Sequence, residues 1–444
     1  MIARFFQLES RGTTVSTELR AGAVTFATMC YIVFVQPGVL SQNAGMDFGA
    51  VLVATCLSAA LATLIMGLWA NYPIAQAPLM GENFFFAISV VAIMKVPWET
   101  ALGIVFVSGL LFLAMTVLRI REMILDAVPP FLKSSIAAGI GIFIAFIGLT
   151  EGGLVAKSPA PGAYVQIGDL ASPVALLTLF GLALTAVLLA RKVRGAILLG
   201  IAATAFLALL VGQIRLTGIV APPPSLEPTF FKMDLAGALQ HVDLILIFLF
   251  MLVFDTVGTL IGVSEQAGLT VDGKLPHADR AMLSDAVGTV AGAALGTSTV
   301  SSYIESAAGV ADGARTGLAN MMTAALFVLA IFFQPLVAAI GGGVKVGDLY
   351  YYPVTAPVII LVGSFMMAGV QKIEWDDVGE AIPAFLTMML MPFTFNIAHG
   401  VAGGIVAYVI VKAGSGRARE ISWLMWALAV VMILCYTFLP RLRH

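Results

Sequence analysis

Three carboxylates lie inside long apolar segments of this sequence. Glu82 lies in APLMGENFFF, Asp255 in FMLVFDTVGTLIG and Glu305 in TSTVSSYIES. A charged side chain at membrane depth costs about 2.5–3.5 kcal/mol on insertion scales, so acids found there are candidates for function. No Lys or Arg lies at a depth that would pair with all three. Such acids can exchange protons, which predicts proton coupling at Asp255 and Glu305, while sodium coupling stays open because the same oxygens bind hard cations.

The residues around these acids favour a neutral substrate that carries hydrogen-bond donors. Carboxylate oxygens accept hydrogen bonds from N–H groups, and aromatic rings offer stacking faces, whereas an anion would prefer Lys or Arg. Serine and threonine residues are frequent in the sequence just before Glu305, and their hydroxyl groups could form a polar pocket there. The predicted substrate-binding residues from this reasoning are Glu305, Asp255, Glu82, Phe84, Thr299 and Ser302.

Each acid also has a structural interpretation. Asp255 could accept hydrogen bonds within a packed bundle, the hydroxyls near Glu305 could join helices, and Glu82 could serve either role. Asp285 and Glu265 lie near the ends of apolar segments, which predicts interfacial positions for both.

The composition requires a membrane environment. Only 11% of the 444 residues are charged, against roughly 25% in soluble domains, and 60% are hydrophobic, with a mean hydropathy of +1.01. These values exclude a soluble enzyme, and the net charge of −2 offers no basic field for nucleic acid. The sequence has no phosphate loop and no zinc-type histidine spacing, and the three cysteines are scattered. It therefore predicts no metal, no cofactor and no enzymatic activity.

Apolar segments of the right length predict an all-α polytopic protein with fourteen membrane elements. The third and tenth are short and follow stretches rich in Pro, Gly, Ser or Thr, which predicts half-helices that begin inside the bilayer. Residues 421–440 either cross the membrane or lie along its interface. The predicted elements are 21–41, 49–70, 79–94, 101–118, 134–150, 170–190, 195–213, 243–263, 281–296, 299–312, 317–340, 354–371, 380–394 and 396–412.

The basic residues and an internal similarity define the orientation and the symmetry. Lys and Arg concentrate at one set of span ends, which predicts a cytoplasmic N-terminus in a plasma membrane, of the bacterial inner-membrane type. Seven spans then leave the chain outside, so the second seven must run with opposite polarity. SQNAGM at 41–46 and SEQAGL at 264–269 are similar at an offset of 223 residues. Two short elements at corresponding positions of inverted repeats are the sequence signature of a transporter's central binding site.

Several motifs resemble one family. RGTTVSTELRAG, NYPIAQAPLMGENFFF, FDTVGTLIGVSEQAG, GTSTVSSYIESAAGVADGARTGL and EWDDVGEAIPAFLTMMLMP are similar to motifs of the AzgA-like purine permeases of the nucleobase/ascorbate transporter superfamily. The resemblance covers about residues 9 to 412. It implies two inverted seven-span repeats that form a core domain (21–118 and 243–340) and a gate domain (134–213 and 354–412). Residues 1–20 would be the cytoplasmic N-terminus and 413–444 a C-terminal segment.

The resemblance also implies an activity and site residues. Members of the family import purine bases (adenine, guanine or hypoxanthine) with protons, with the core sliding against the gate, usually as homodimers. By motif, Asp255 and Glu305 match the family's two acids and Asn83 matches its asparagine, which adds Asn83 to the substrate-binding residues. Here Leu79 and Glu82 replace the family's usual Gly and Leu, and His399 stands at an atypical span entry. The alternatives are a carrier of another neutral heterocycle and an anion exchanger of the same inverted-repeat fold; a channel and a membrane enzyme are more remote.

Overall fold

The computed structural model describes residues 2–118, 128–266, 276, 278–347 and 349–438, and most of this part of the chain is helical. The structure describes the backbone but not the side chains of residues 254, 255, 257, 258, 261, 262, 265, 266, 435 and 438. The helices of the first half are α1 (Ile2–Phe5), α2 (Val15–Met29), α3 (Tyr31–Ala44), α4 (Phe48–Ile65), α5 (Met80–Phe84), α6 (Trp98–Val117), α7 (Pro130–Glu151), α8 (Pro173–Ala190) and α9 (Ala196–Leu210). Those of the second half are α10 (Leu235–Ala238), α11 (Val242–Gln266), α12 (Ala278–Leu295), α13 (Ser306–Ala311), α14 (Leu318–Ala330), α15 (Gln334–Gly341), α16 (Ala356–Met366), α17 (Val378–Thr394), α18 (Ile397–Gly414) and α19 (Trp423–Phe438).

Two of these helices continue as π-helix, α4 over Met66–Ala70 and α5 over Phe85–Ile93. Short 3₁₀ helices occupy Ile331–Phe333, Met367–Lys372 and Ala418–Glu420.

A helix lies in each of the fourteen predicted intervals. Seven helical segments are long and apolar enough by themselves to cross a bilayer: Val15–Ala44, Phe48–Ala70, Trp98–Val117, Pro130–Glu151, Pro173–Ala190, Leu318–Gly341 and Ile397–Gly414. Five of the other seven intervals contain shorter apolar helices, element 3 among them, and element 10 contains the six-residue helix α13. The chain is therefore a multi-pass helical membrane protein. The number of spans remains a prediction.

The first apolar helix begins before residue 21, because Thr14 caps it. The Thr14 backbone is extended, and its hydroxyl accepts a hydrogen bond from the Thr17 amide at 3.2 Å. Such a cap satisfies one of the free N–H groups at a helix start and stabilises the helix by about 1 kcal/mol. The apolar helical segment therefore starts at Val15, six residues before the predicted span at 21–41.

The helices pack as two sets that contact mainly their own members. One set is centred on α2, α4, α6, α12 and α14, and the other on α7, α8, α16, α17 and α18. Glycines let backbones approach closely within the second set: a Cβ at Gly141 of α7 would lie 2.6 Å from the carbonyl oxygen of Gly363 in α16. Contacts between the sets include α2 with α9, α5 with α7 and α11 with α7.

Six short strands form three antiparallel pairs among the described residues. β2 (Val155–Lys157) pairs with β3 (Val165–Ile167), and β5 (Val344–Val346) pairs with β6 (Leu349–Tyr351), each between two successive helices. The third pair joins distant parts of the chain, β1 (Gln76–Pro78) and β4 (Val300–Ser302).

The C-terminal helix α19 packs against α18, and the turn between them is fixed by ion pairs. Arg417 lies 2.7 Å from Asp377 and 2.7 Å from Glu420, and Lys412 lies 3.0 Å from Glu420. The Arg417 guanidinium lowers the pKa of Asp377 from its ordinary 3.8 to about 2. The two carboxylates therefore stay ionised at neutral pH and hold the last helix to the bundle.

Candidate functional site at the paired strands

The two short predicted elements meet through β1 and β4. Gln76 lies opposite Ser302 and Pro78 opposite Val300, and the ladder continues where the Leu79 amide donates to the Thr299 carbonyl at 3.0 Å. β1 leads directly into α5, and β4 leads into α13. The starts of both short helices therefore lie at the strand pair, where their first N–H groups have no partner within their own helix.

Glu305 lies immediately before α13 and is 8% exposed. Its Oε1 accepts a hydrogen bond from the Tyr31 hydroxyl at 2.8 Å, and its carbonyl oxygen accepts one from Thr28 Oγ1 at 3.3 Å. Helix α3 thus orients the carboxylate, although Tyr31 is 274 residues away in sequence. A lone tyrosine in an apolar segment gave no signal by which the sequence could have identified this partner.

Glu82 lies in the first turn of α5 and is 3% exposed. It accepts a hydrogen bond from the Thr299 hydroxyl, so two of the predicted site residues are in contact. Asn83 is fully buried, and neither polar atom of its side chain has a hydrogen-bond partner among the described residues. Phe84 is fully buried as well. A buried amide is normally hydrogen-bonded, so the arrangement at Asn83 suits a ligand.

Ser302 and Asp255 are the remaining predicted substrate-binding residues. Ser302 donates to Asp285 Oδ1 at 2.9 Å. The backbone of Asp255 belongs to α11, but its side chain lies outside the described residues, as does that of Glu265.

The interfacial position predicted for Asp285 is wrong. Asp285 is fully buried in α12 and accepts hydrogen bonds from Ser301 Oγ at 3.1 Å, from Ser302 Oγ at 2.9 Å and from Gln76 Nε2. One carboxylate therefore binds both strands of the pair. The prediction failed because it considered position along the helix, whereas the strand pair brings three donors to this carboxylate from distant segments.

Gln36 is another residue that the sequence reasoning missed. It lies in α3, is fully buried, and donates from Nε2 to Thr297 Oγ1 at 2.8 Å and to Ser298 Oγ at 3.0 Å. Gln36 thus binds the hydroxyl groups just before β4, whereas Asp285 binds those within β4.

The site lies where the two sets of helices meet. A Cβ at Gly81 of α5 would lie 2.6 Å from Ile140 Cγ2 of α7, and Ile397 at the start of α18 is also near. Segments 73–94 and 281–314 contain no Lys or Arg. The arrangement therefore presents carboxylate, amide and hydroxyl groups, with no basic side chain on the segments that build it. Among the described residues no group of three His, Cys, Asp or Glu side chains could hold a metal ion.

A bundle of apolar helices whose centre contains two short helices starting at one strand pair has the architecture of a membrane transporter. A family model agrees: the chain matches the "Permease family" (Xan_ur_permease) over residues 16–403 and belongs to that family. It is therefore a permease and not an enzyme. The resemblance to purine permeases that the motifs indicated is confirmed.

Curated relatives match the chain over nearly its whole length. "Putative permease MJ0326" of Methanocaldococcus jannaschii is 46% identical, over 99% of this chain and 98% of its own. "Guanine/hypoxanthine permease PbuG" of Bacillus subtilis is 43% identical, over 98% and 99%. "Adenine permease AdeP" of Escherichia coli is 40% identical, over 99% and 96%.

A solved structure shares the fold. The transmembrane domain of the cyanobacterial bicarbonate transporter BicA superimposes with a TM-score of 0.60 at 15% identity, over 88% of this chain and 97% of that domain. The identity is low, so this similarity describes the fold alone. It supports the inverted-repeat architecture that the sequence predicted.

Proposed function

We propose that this protein is a secondary active transporter that imports purine nucleobases together with protons across the plasma membrane. The observation that carries the proposal is the pair of buried carboxylates, Glu82 and Glu305, at the starts of two short helices in a chain at least 40% identical to guanine/hypoxanthine and adenine permeases. Carboxylates accept hydrogen bonds from the N–H groups of a neutral heterocycle.

Each site residue has a proposed role. Glu305, oriented by Tyr31, binds ring N–H groups of the base. Asn83 binds a donor or acceptor of the base with the side-chain atoms that have no partner among the described residues. Asp255 binds the substrate or exchanges the coupling proton with Glu305, and sodium is the alternative coupling ion.

Transport would proceed by movement of the core against the gate. The core consists of 21–118 and 243–340 and the gate of 134–213 and 354–412, and the two helix sets meet at α5 and α7. The strand pair belongs to the core, so a bound base would move with it. A homodimer with a cytoplasmic N-terminus in a bacterial inner membrane completes the proposal.

An anion exchanger is the second candidate, because the bicarbonate transporter shares the fold. An anion would be stabilised by Lys or Arg near the helix starts. The segments 73–94 and 281–314 have neither, and they contribute buried Glu82, Asp285 and Glu305 instead. The charge of the site therefore favours the neutral base.

The test is uptake of labelled adenine, guanine and hypoxanthine into proteoliposomes with an imposed pH gradient. Accumulation of a purine that collapses with the proton gradient is expected. Absence of purine uptake, or uptake indifferent to both proton and sodium gradients, would contradict the proposal.

Two substitutions test the roles of the acids. Glu305→Gln and Asp255→Asn keep the side-chain shape but remove the charge, so each should reduce uptake at least tenfold while the protein remains in the membrane. Exposed Glu227→Gln is the control. Normal uptake by either site variant would show that the charge of that residue is not required for substrate binding or proton coupling.

A further inference from the structure

The C-terminal helix α19 runs antiparallel to α18. Its first turn follows the connection at 415–422, which the ion pair between Lys412 and Glu420 holds to the end of α18. Its last turn lies beside the start of α18, where the rings of Tyr436 and His399 are in contact at a centroid distance of 5.5 Å. By length and composition α18 can cross a bilayer. Helix α19 therefore covers the same depth of the membrane as α18, in the opposite direction.

The core helix α11 marks the depth of the far end of α19. Tyr436 and Asp243 line one apolar cavity, together with Leu246 and Phe250 of α11 and Met432 of α19. Asp243 lies in the first turn of α11, which is the predicted outer end of that helix. The last turn of α19 thus lies near the outer end of α11, whereas its first turn follows a connection on the predicted cytoplasmic side.

The surface of α19 is that of a membrane span and not that of an interfacial helix. A helix that lies along the membrane plane needs a polar face towards water. Helix α19, WLMWALAVVMILCYTF, has no charged residue, and its hydroxyl groups are confined to the last turn. The outward-facing side chains in its second half are apolar and 39–51% exposed: Val430, Val431, Ile433 and Leu434. Water on this face would be unfavourable, so the face belongs in hydrocarbon.

The length and the flanking residues of α19 also fit a crossing. Residues 421–440 carry no charge, and a helix of about 20 residues spans the roughly 30 Å of the hydrocarbon core. Trp423 and Trp426 are exposed in the first turn, and indole rings favour the membrane interface. Three basic residues lie at 412–419 and two at 441–443, so the bias of basic residues still places the connection before α19 in the cytoplasm.

We infer that α19 crosses the bilayer as a further membrane element, with its exposed apolar face against lipid acyl chains. Its last turn then lies on the opposite side of the membrane from the connection at 415–422. With fourteen spans before it, the end of α19 is on the outer side. The helix moves with the gate set, because its ion pair and its main contacts are with α18. The inference is independent of the substrate that the protein carries.

Three cysteine substitutions in the full chain test the crossing. Ala418→Cys lies in the connection before α19, Val430→Cys on the apolar face and Thr437→Cys in the last turn, all at exposed positions. Each is made together with Cys435→Ser, and the chain with Cys435→Ser alone is the control for the two buried native cysteines. A membrane-impermeant maleimide is applied to intact cells and to inverted membrane vesicles.

The labelling pattern decides between a crossing and an interfacial helix. Thr437→Cys should react at least tenfold faster in intact cells, Ala418→Cys at least tenfold faster in inverted vesicles, and Val430→Cys in neither, because its thiol lies in hydrocarbon. Reaction of Ala418→Cys and Thr437→Cys from the same side would overturn the inference. So would reaction of Val430→Cys, or a Thr437→Cys that reacts from neither side. A disulfide-linked dimer of Val430→Cys would show that a second copy covers the face in place of lipid.

Reporter fusions give an independent measurement of the same property. Alkaline phosphatase, which becomes active only outside the cytoplasm, and green fluorescent protein, which fluoresces inside it, are each joined after His444 of the full chain. The phosphatase fusion should be active and the fluorescent fusion dark. Fluorescence combined with a cytoplasmic Ala418→Cys would place both ends of α19 on one side and overturn the inference. Neither readout requires purine uptake, so a failure here leaves the proposed function standing.

Discussion

Glu305 illustrates how the fold orients a buried carboxylate at the candidate site. Its carboxylate is buried, so each hydrogen bond to it is stronger than at the surface, and the orientation of its oxygens depends on the Tyr31 hydroxyl at 2.8 Å. Charge at membrane depth was sufficient to predict Glu82 and Glu305 from the sequence. Tyr31, Gln36 and Asp285 could not be predicted, because their partners are distant in sequence and become neighbours only when the helices pack.

Replacing Tyr31 by Phe should weaken substrate binding. The ring would still pack beside Tyr303, whose centroid is 6.4 Å away, but Glu305 would lose a hydrogen bond to a charged group, worth about 1.5–3 kcal/mol. We expect the apparent KM for purine uptake to rise about tenfold or more with normal membrane levels. Tyr350→Phe, at a residue that is 42% exposed, is the control. An unchanged KM would show that Tyr31 does not orient Glu305.

The strand pair is the element on which the site depends. The sequence predicted two short elements at corresponding positions, and short helices are present there as α5 and α13. It gave no indication of β1 and β4, since three-residue strands are too short to show a periodic pattern. The pair is stabilised from one side by Asp285, which binds Gln76 of β1 and Ser301 and Ser302 of β4.

Asp285→Asn should therefore destabilise the protein and impair uptake together. The amide offers one acceptor oxygen instead of two, so a buried donor from Gln76 or a serine would be left unsatisfied at a cost of about 1–3 kcal/mol. A lower apparent melting temperature of the purified protein and reduced uptake are the expected results.

Asp279→Asn is the matched control, because Asp279 lies on the same helix but is exposed. Equal stability of the two variants, or full uptake by Asp285→Asn, would contradict the role of Asp285 in holding the strands.

At the scale of the whole molecule, the two sets of helices are joined by an ion pair as well as by apolar contacts. Asp312, just after α13, is 5% exposed at its side chain and binds Arg20 Nε at 2.7 Å and Arg194 Nε at 2.5 Å. Arg20 belongs to α2 in the same set as Asp312, whereas Arg194 lies between α8 and α9 of the predicted gate. Arg20 precedes the first predicted span and Arg194 lies between the sixth and seventh, so both are at span ends on the predicted cytoplasmic side. The sequence could not show that they share one carboxylate, since that depends on how the sets dock.

Breaking this link should alter transport without altering the site. If the core moves against the gate, the bond between Arg194 and Asp312 must open in each cycle, whereas that between Arg20 and Asp312 can persist. Both arginines are more than half exposed, so each pair contributes at most about 1 kcal/mol. Arg194→Gln should thus change the maximal rate of uptake by up to about fivefold and leave competition by purines unchanged, and Arg194→Lys should restore much of the original rate. Arg20→Gln, which leaves the link between the sets intact, should have a smaller effect on the rate. Equal effects of Arg194→Gln and Arg20→Gln would mean that Asp312 serves only to stabilise the fold, and that the two helix sets do not separate at this point.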